Sequence, residues 1–527
     1  MTAKQRIRVK AGSVRQAMPK ASYLRDTRSA VISTRPSTLR ASRDDIRVAW
    51  RRAAAIANDL VQNSGRLRGA VDQVIADTVG IELVLNPQPD LSRLGYDQKE
   101  TVEFSRMVKR WWKRWAWNPR ECDLRGKFTV PQMIDIALRW DMVYGEALGV
   151  MSYMTMAERQ RYGLTSGTKV CMSPPTRLVQ DTNEMEGLFQ GVIHDPNGRP
   201  VAYRLEDKET GIRVKRDYRA HDADWRQQVI HVFDPMDATD VRGISRIAPG
   251  FRQHIQHEIL VDATVQTAIL QTVFAAALTS QAPSKDAFEA LAAIEDDDLR
   301  GEMEDYFAAS FDRAADSAIN ISGDPQVSHL APGEELKLLS TGTPGPQFQP
   351  LWSALSRDMA RAIGITYGGL TMDHSNSTYS SVRMENSSIW PVVMRRRERL
   401  AGPIAQAIYE NALDEAIGEG RIPFKGGYRA FAANRDAVCW ALWQGPAKPS
   451  ADDGKSAKAA SERLGNGTST LAAECAELGY DPDEVFEQRV REHALYREAG
   501  MASPFERRAG GPSADPGEDI ERRPGAE

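Results

Sequence analysis

Apolar positions along the chain recur at two spacings, and the switches between them divide it into segments. From Ser42, "SRDDIRVAWRRAAAIANDLVQNSGRLRGAVDQVIADTVG" repeats apolar residues every three or four positions. That predicts a long helix capped by Ser42 and broken near Gly65. "DQKETVEFSRMVKRWWKRWAWN" sets Phe104, Met107, Val108, Trp111 and Trp115 on one helical stripe, with Lys and Arg around the rest. Aromatics among cations can stack on nucleic-acid bases. This spacing, however, describes a buried stripe with a basic outer face, and that reading is preferred. Between about residues 168 and 233 the period shortens to two. "GLFQGVIHDPNGRPVAYRLEDK" alternates around Asp195-Pro196-Asn197-Gly198, a hairpin signal, and "QQVIHVFDP" reads as a further strand.

Helical spacing then returns. Residues 242–280 predict one long helix with few large side chains. Glu258, Asp262 and Gln266 fall four apart as a thin polar stripe left wet, while Ile255, Ile259, Ile269, Val273 and Phe274 are assigned elsewhere. Ala and Thr over much of the remainder let neighbouring helices approach closely. A second helix, "FQPLWSALSRDMARAIGI", leads into the polar stretch "SNSTYSSVRMENSS" at 375–388. A third leaves it from Ser380 to about Ile417, and Pro391 and Pro403 should kink or interrupt it. "LAAECAELGYDPDEVFEQRVREHALYREAG" closes the patterned region with smaller helices. The fold class expected is α+β, mainly helical, with the strands gathered in one region.

Length adds that 527 residues exceed one compact core, so two to four domains are expected. An apolar fraction of 41% and a charged fraction of 27% belong to an ordinary soluble protein. The formal charge of −4 argues against a protein built simply to grip DNA by its phosphates, but its distribution is uneven. Residues 1–70 hold sixteen Lys/Arg against four Asp/Glu, and residues 281–345 hold four against fourteen. One end can meet an anion, and the central segment repels one. Residues 1–42, without periodicity, are expected to be a flexible arm, and the last twenty or so residues, Gly, Pro and charge, to be disordered. Cys122, Cys171, Cys439 and Cys475 stand far apart, which fits a reducing compartment and no zinc or disulfide scaffold. The N-terminus lacks the apolar core of a signal peptide. The most apolar run, from Ile259, is broken by Asp262, Gln266 and Gln271, so no membrane partner is expected. The sequons at Asn376, Asn386 and Asn466 are accordingly not expected to be glycosylated.

Candidate chemistry is sparse. No GxxxxGK[ST] loop occurs, since "GLTSGTK" has the wrong spacing, and no GxSxG elbow occurs. His254 and His257 could share a metal, but no third ligand is evident, and a solvated or inter-subunit helix face is preferred. Glu295, Asp296, Asp297 and Asp298 could bind Mg²⁺; a solvated acidic face accounts for them more simply. Arg395, Arg396 and Arg397 either contact phosphate or decorate a helix face. No enzymatic activity, cofactor or metal is expected.

The order of elements nevertheless resembles that of the lambda-like family of tailed-bacteriophage portal proteins, over roughly residues 45–505. "HVFDPMDATDVRGISRIAPG" (231–250) looks like the family's strand, turn and Arg-Gly lead-in to its first stem helix. "RDMARAIGITYGGLTMDHSNSTYSSVRMEN" (357–386) is similar to its second stem helix, tunnel loop and following helix. "WQGP" (443–446) and the helices after it match its C-terminal part, although the family's Asp-Pro stretch is replaced here by "AKPSADDGKSAK".

The resemblance implies a portal-protein fold with long stem helices, a β-rich wing portion, a clip and a helical crown. The arm would be 1–42, the wing 43–242, the first stem helix 243–279 and the clip 280–345. The second stem helix would be 346–366, the tunnel loop 367–380, the kinked helix returning to the wing 381–437, the crown 438–505 and the tail 506–527. It implies a twelve-subunit ring at one capsid vertex, through which a separate ATP-driven motor packages double-stranded DNA that is later ejected. The partners implied are the terminase large subunit, the major capsid and scaffolding proteins, and head-completion or adaptor proteins. The location implied is the virion, with the host cytoplasm during assembly.

By the same likeness Asp373, His374, Ser375, Asn376, Ser377, Thr378 and Tyr379 would face DNA from the loop. Glu258, Asp262 and Gln266 would line the stem, and Glu295–Asp298 would dock the motor. The loop's composition agrees, because hydroxyls and amides without Lys or Arg before Arg383 allow transient contact with a sliding polyanion. Two other classes compete: a metal-dependent DNA-processing enzyme using Glu295–Asp298, and a DNA-binding protein using the basic arm.

Overall fold

In the computed structural model, described over residues 39–209, 212–273, 277–280, 301, 334–337, 345–375, 378–449 and 453–505, helix α1 (Ser42–Asn63) is followed at once by α2 (Gly65–Val79). The break falls where expected, and the Ser64 side chain caps α2 by accepting from Leu67 N at 3.4 Å. Ser42, by contrast, is the first helical residue rather than a cap, since Ala41 takes the extended flanking conformation. Helix α3 (Gln98–Ala116) opens on a reciprocal Asp97–Glu100 capping box. Its buried stripe is Phe104, Val108, Trp112 and Trp115, with Met107 and Trp111 half-buried beside it. Trp112, absent from the expected stripe, lies 5.5 Å from the Tyr409 ring and 5.7 Å from Trp443, both edge-on. The aromatics of α3 are therefore core.

Helix α4 (Val130–Tyr144) packs on α1 and α2 and ends at Gly145. Strands β1 (Val84–Pro87), β2 (Glu146–Tyr153), β3 (Thr168–Met172), β4 (Leu188–Phe189), β5 (Val192–His194), β6 (Pro200–Glu209), β7 (Ile212–Arg219) and β8 (Val229–Phe233) follow the chain. Strands β2 to β8 form a three-stranded sheet β3-β2-β8 and a meander β4-β5-β6-β7, both antiparallel. The hairpin at 195–198 is present, with Gly198 at φ +82°. Strand β2 was not expected. Leu148 of β2 and Tyr203 and Leu205 of β6 share a small second core with Val192 and Val229.

The expected helix 242–280 is shorter. Residues 242–247 form a loop, a single 3₁₀ turn covers Ala248–Gly250, and helix α5 runs Phe251–Val273. Beyond it β9 (Ala277–Ser280) pairs with β10 (Glu334–Lys337). Helix α6 (Phe348–Ile363) ends at Gly364 in the left-handed conformation and packs along α5. Helix α7 (Tyr379–Arg396) contains Pro391 without interruption. A π-helical turn, Arg397–Ala401, joins it to α8 (Gly402–Gly418), and Pro403 sits in the first turn of α8. Of the two prolines, only Pro403 follows directly on an irregular turn, whose wider π spacing accommodates a residue with no N–H to donate. Strand β11 (Ala441–Gln444) pairs with β1, and α9 (Pro482–Glu498) lies near the C-terminus. One large core joins α2, α3, α4, α6 and α8. The fold is α+β, as expected.

Candidate channel surface

The approach to α5 is fixed by a buried ion pair. Glu146, the first residue of β2, and Arg242 are both fully buried, and Arg242 Nε lies 3.0 and 3.1 Å from the two carboxylate oxygens. Arg242 also donates to the carbonyls of Pro175 (3.1 Å) and Leu178 (3.4 Å), and its guanidinium stacks 4.1 Å over the Trp50 ring. His231 Nε2 lies 3.0 Å from Glu146 Oε2. Burial pushes the Glu146 carboxyl up, and Arg242 and His231 more than reverse it, so it stays below the usual range. Such a pair is costly to break, because either partner alone would be a desolvated charge.

Beside it, Gly243 and Gly145 meet back to back. A methyl on Gly243 would fall 1.9 Å from Gly145 O, and Gly145 itself sits at φ +85° against the backbone of Ile244. The Arg-Gly dipeptide is thus explained: the Arg closes the pair and the Gly admits the neighbouring chain. Three residues on, Arg246 binds Asp141 and, at 3.3 Å, Asp234, which also accepts from Arg395 at 3.1 Å. Burial raises the Asp141 carboxyl despite Arg246, whereas Asp234, also desolvated, is drawn below the usual range by Arg246 and Arg395.

The Arg395–Arg397 run therefore has a different role from either expected. Arg396 is buried and donates to Ile363 O at 3.3 Å; burial and the nearby Arg246 bring its guanidinium down to about 10. Arg397, also buried, donates to Thr78 O at 2.8 Å and Pro446 O at 3.0 Å. Two of the three tie helices together, and Arg395 pairs with Asp234.

His254 and His257 are corrected similarly. Both are buried on the inner face of α5, not on a solvated or inter-subunit face. His257 Nε2 is 2.5 Å from Arg66, whose guanidinium also stacks 4.8 Å over Trp352 of α6. Burial, then Arg66 and His254, lower the His257 imidazole to about 4. Among the described residues no group of three or more His, Cys, Asp or Glu is arranged to hold a metal.

The outer face of α5 mixes what the pattern separated. Ile255, Ile259, Val265 and Ile269 are 40, 61, 51 and 57% exposed. At about 100° per residue they interleave with Glu258, Asp262 and Gln266 on one face. Asp262 and Gln266 are exposed and Glu258 is half-buried, 3.1 Å from His254 without hydrogen-bond geometry.

The loop is more ordered than its composition implies. After α6 a short helix, Tyr367–Thr371, ends at Met372, which is 75% exposed at φ +55° and was passed over in the sequence. Asp373 Oδ1 accepts from Ser375 N (3.0 Å) and Ser375 Oγ (2.6 Å), which lowers its carboxyl below the usual range. His374 packs over Gly368, where a methyl would come 2.7 Å from its ring. Thr378 caps α7 by accepting from Ser381 N at 3.3 Å, and α7 begins at Tyr379 rather than Ser380. Several of the loop's polar groups are thus committed to local turns and caps. Asn376 and Ser377 lie outside the described residues, as do Glu295, Asp296, Asp297 and Asp298, the arm up to residue 38 and the tail from 506. Among the described residues no helix is long and apolar enough to cross a membrane.

Comparison with known proteins supplies the family. Portal protein B of Escherichia phage lambda is 27% identical over 476 residues, covering 86% of this chain and 85% of that protein. The portal protein of Escherichia phage N15 is 26% identical over 475 residues, covering 86% of each. A chain from the neck of an empty GTA particle, computed with C6 symmetry, superposes with a TM-score of 0.39 at 13% identity, over 68% of this chain and 82% of that one. The family model for the phage portal protein, lambda family, matches residues 31–397, well over half of the sequence, and the chain belongs to that family.

Proposed function

We propose that this portal protein assembles as a closed ring, twelve-membered by family likeness, at one vertex of a phage capsid. Its bore would pass double-stranded DNA inward under a separate ATP-driven motor and outward at ejection, without catalysis by the ring itself. In this reading α5 and α6 are the stem helices within 243–279 and 346–366, and residues 367–380 are the loop nearest the DNA. Residues 280–345 are the clip, where Glu295–Asp298 offer acidic docking to the terminase large subunit and later to head-completion proteins. Residues 43–242 and 381–437 form the wing and 438–505 the crown, placing the protein in the virion after assembly in the host cytoplasm with capsid and scaffolding proteins.

The observation that carries the reading is the outer face of α5. Four large aliphatic side chains lie open on one helix, an apolar strip that a neighbouring copy would cover. Glu258 and Asp262 share that arc, so where its edge turns from the neighbour toward the bore they would repel phosphate, which a run of cations would hold. Sedimentation and negative-stain imaging of the purified protein test the proposal. Closed rings are expected, and a folded monomer at micromolar concentration would overturn it. Charge reversal of Glu295–Asp298 is expected to leave rings intact and weaken motor binding.

A further inference from the structure

The basic outer face of α3 is partly covered: Lys109 is 14% exposed, while Arg110 and Lys113 keep 69 and 58% of their side-chain surface. Helix α9 lies across it and touches it through acids. Lys109 Nζ is 2.8 Å from Asp481 and 3.1 Å from Asp483, and Lys113 is 3.4 Å from Glu484. Arg106 and Arg110 each reach Glu487 at 3.5 Å. Asp481 serves twice, since it also caps α9 by accepting from Asp483 N and Glu484 N. No side chain within α9 is buried, and Phe486, Val490 and Leu495 are 55, 52 and 63% exposed. A helix docked for good on a protein body turns its apolar side inward. This one packs on the short helix Leu471–Glu477, but toward α3 it turns carboxylates and leaves Phe486, Val490 and Leu495 exposed, so ion pairs rather than a core join it to α3.

The exposed pairs, Arg110–Glu487 and Lys113–Glu484, are weak and screened by salt, and Lys109–Asp481 is the sheltered one. Under them, Arg106, Lys109, Arg110, Lys113 and Arg114 run along about 12 Å of one helix. That is the charge density and length of a short stretch of phosphate backbone, which α9 imitates with four carboxylates. We infer that α9 is an electrostatic latch on a polyanion-binding face of α3, covering Lys109 and competing for the more open Arg106, Arg110 and Lys113, and that double-stranded DNA is the polyanion that displaces it. The choice of DNA rests on the channel reading above, whereas the latch rests on the geometry alone.

The test uses the full-length protein and the neutralising variant Asp483→Asn with Glu484→Gln and Glu487→Gln, which adds no cation and keeps the Asp481 cap. Hydrogen exchange over residues 482–498 reads the latch, and anisotropy of a labelled thirty-base-pair duplex reads the face. The variant is expected to lose exchange protection there, as is the parent on adding duplex. It is expected to bind duplex about tenfold more tightly at low salt. That added component should weaken roughly a hundredfold on tripling the salt, as expected for about five phosphate contacts. Adding Arg110→Gln and Lys113→Gln should abolish the gain, while the basic N-terminal arm, common to all variants, cancels from the comparison. Unchanged protection would overturn the latch. Lost protection with no gain for duplex would overturn the DNA assignment, and a gain for polyglutamate alone would give the face to an acidic protein instead. Rings are imaged in every variant, so a failure of the channel reading shows separately.

Discussion

Replacing Arg242 by methionine keeps much of the volume and removes the charge that balances Glu146. The carboxylate, with no exposed side-chain surface, would retain His231 at 3.0 Å and lose both contacts from Arg242 Nε. Breaking one side of a buried pair costs about 3–5 kcal/mol, and loss of the stacking on Trp50 adds to this. The sign of the pH dependence distinguishes this cause from simple loss of packing. In the parent protein the Glu146 carboxyl sits below its unfolded value of about 4.3. Its contribution is therefore complete above that value and is lost as the pH falls through the folded one. Without Arg242, burial would dominate and lift the folded value above the unfolded one. The penalty would then be largest at neutral pH and relieved as the pH falls and the carboxyl takes up a proton. Guanidinium unfolding followed by tryptophan fluorescence, at one protein concentration and at pH 7.5 and 5.5, measures both quantities. The variant is expected to lose about 3–5 kcal/mol at the higher pH and to recover part of it at the lower. A loss below about 1 kcal/mol, the scale of a surface pair, or a gap that does not narrow with acid, would refute the reasoning.

Gly243→Ala should leave little folded protein, because its methyl meets backbone at 1.9 Å, whereas Gly198→Ala, at φ +82° with open space around it, should cost about 1 kcal/mol; melting curves compare them. Ile255→Asp with Ile259→Asp should convert rings to monomers in sedimentation without changing the circular dichroism, since both side chains are exposed within the chain. Asp373→Lys with His374→Lys should permit ring assembly and slow DNA packaging in vitro, with partial relief at higher salt. Packaging at the parental rate would remove these two residues from the DNA path.

What the sequence made legible was local. Phe104, Val108 and Trp115 mark a helix face within three turns, and Asp195–Gly198 specify a hairpin by themselves, so both appear as expected. Strand β2 was missed because its first four residues are buried whatever their side, so no alternation marks them. The burial of His254, His257, Arg396 and Arg397 depends on which helices arrive from elsewhere in the chain, and no short-range pattern encodes that. The outer face of α5 was misjudged for a different reason. Acids four apart suggest a separate stripe, although isoleucines at 255, 259 and 269 fall within the same arc. The composition of the loop suggests free hydroxyls, while Thr378 and Ser381 stand three apart, the spacing of a helix cap.

The π-helical turn at Arg397–Ala401 acts as an indexing device. One residue more or fewer in a helix rotates everything beyond it by about 100°. The two halves of the rod from Tyr379 to Gly418 each engage fixed partners. Arg396 and Arg397 bind Ile363 O and Thr78 O before the turn. Beyond it Asp414 receives Arg226 and Arg435 at 3.0 and 2.8 Å, and Glu415 receives the amides of Gly167 and Thr168 at 2.6 and 2.7 Å. Deleting a single residue within the turn would restore regular helix and leave Asp414 and Glu415 close to those partners, because the wide turn absorbs one extra residue with little net rotation, whereas deleting one from a regular turn would swing both away by about 100°. The wide turn thus takes up one residue beyond what regular helix needs and keeps the half of the rod that follows the loop in phase with the half embedded in the core.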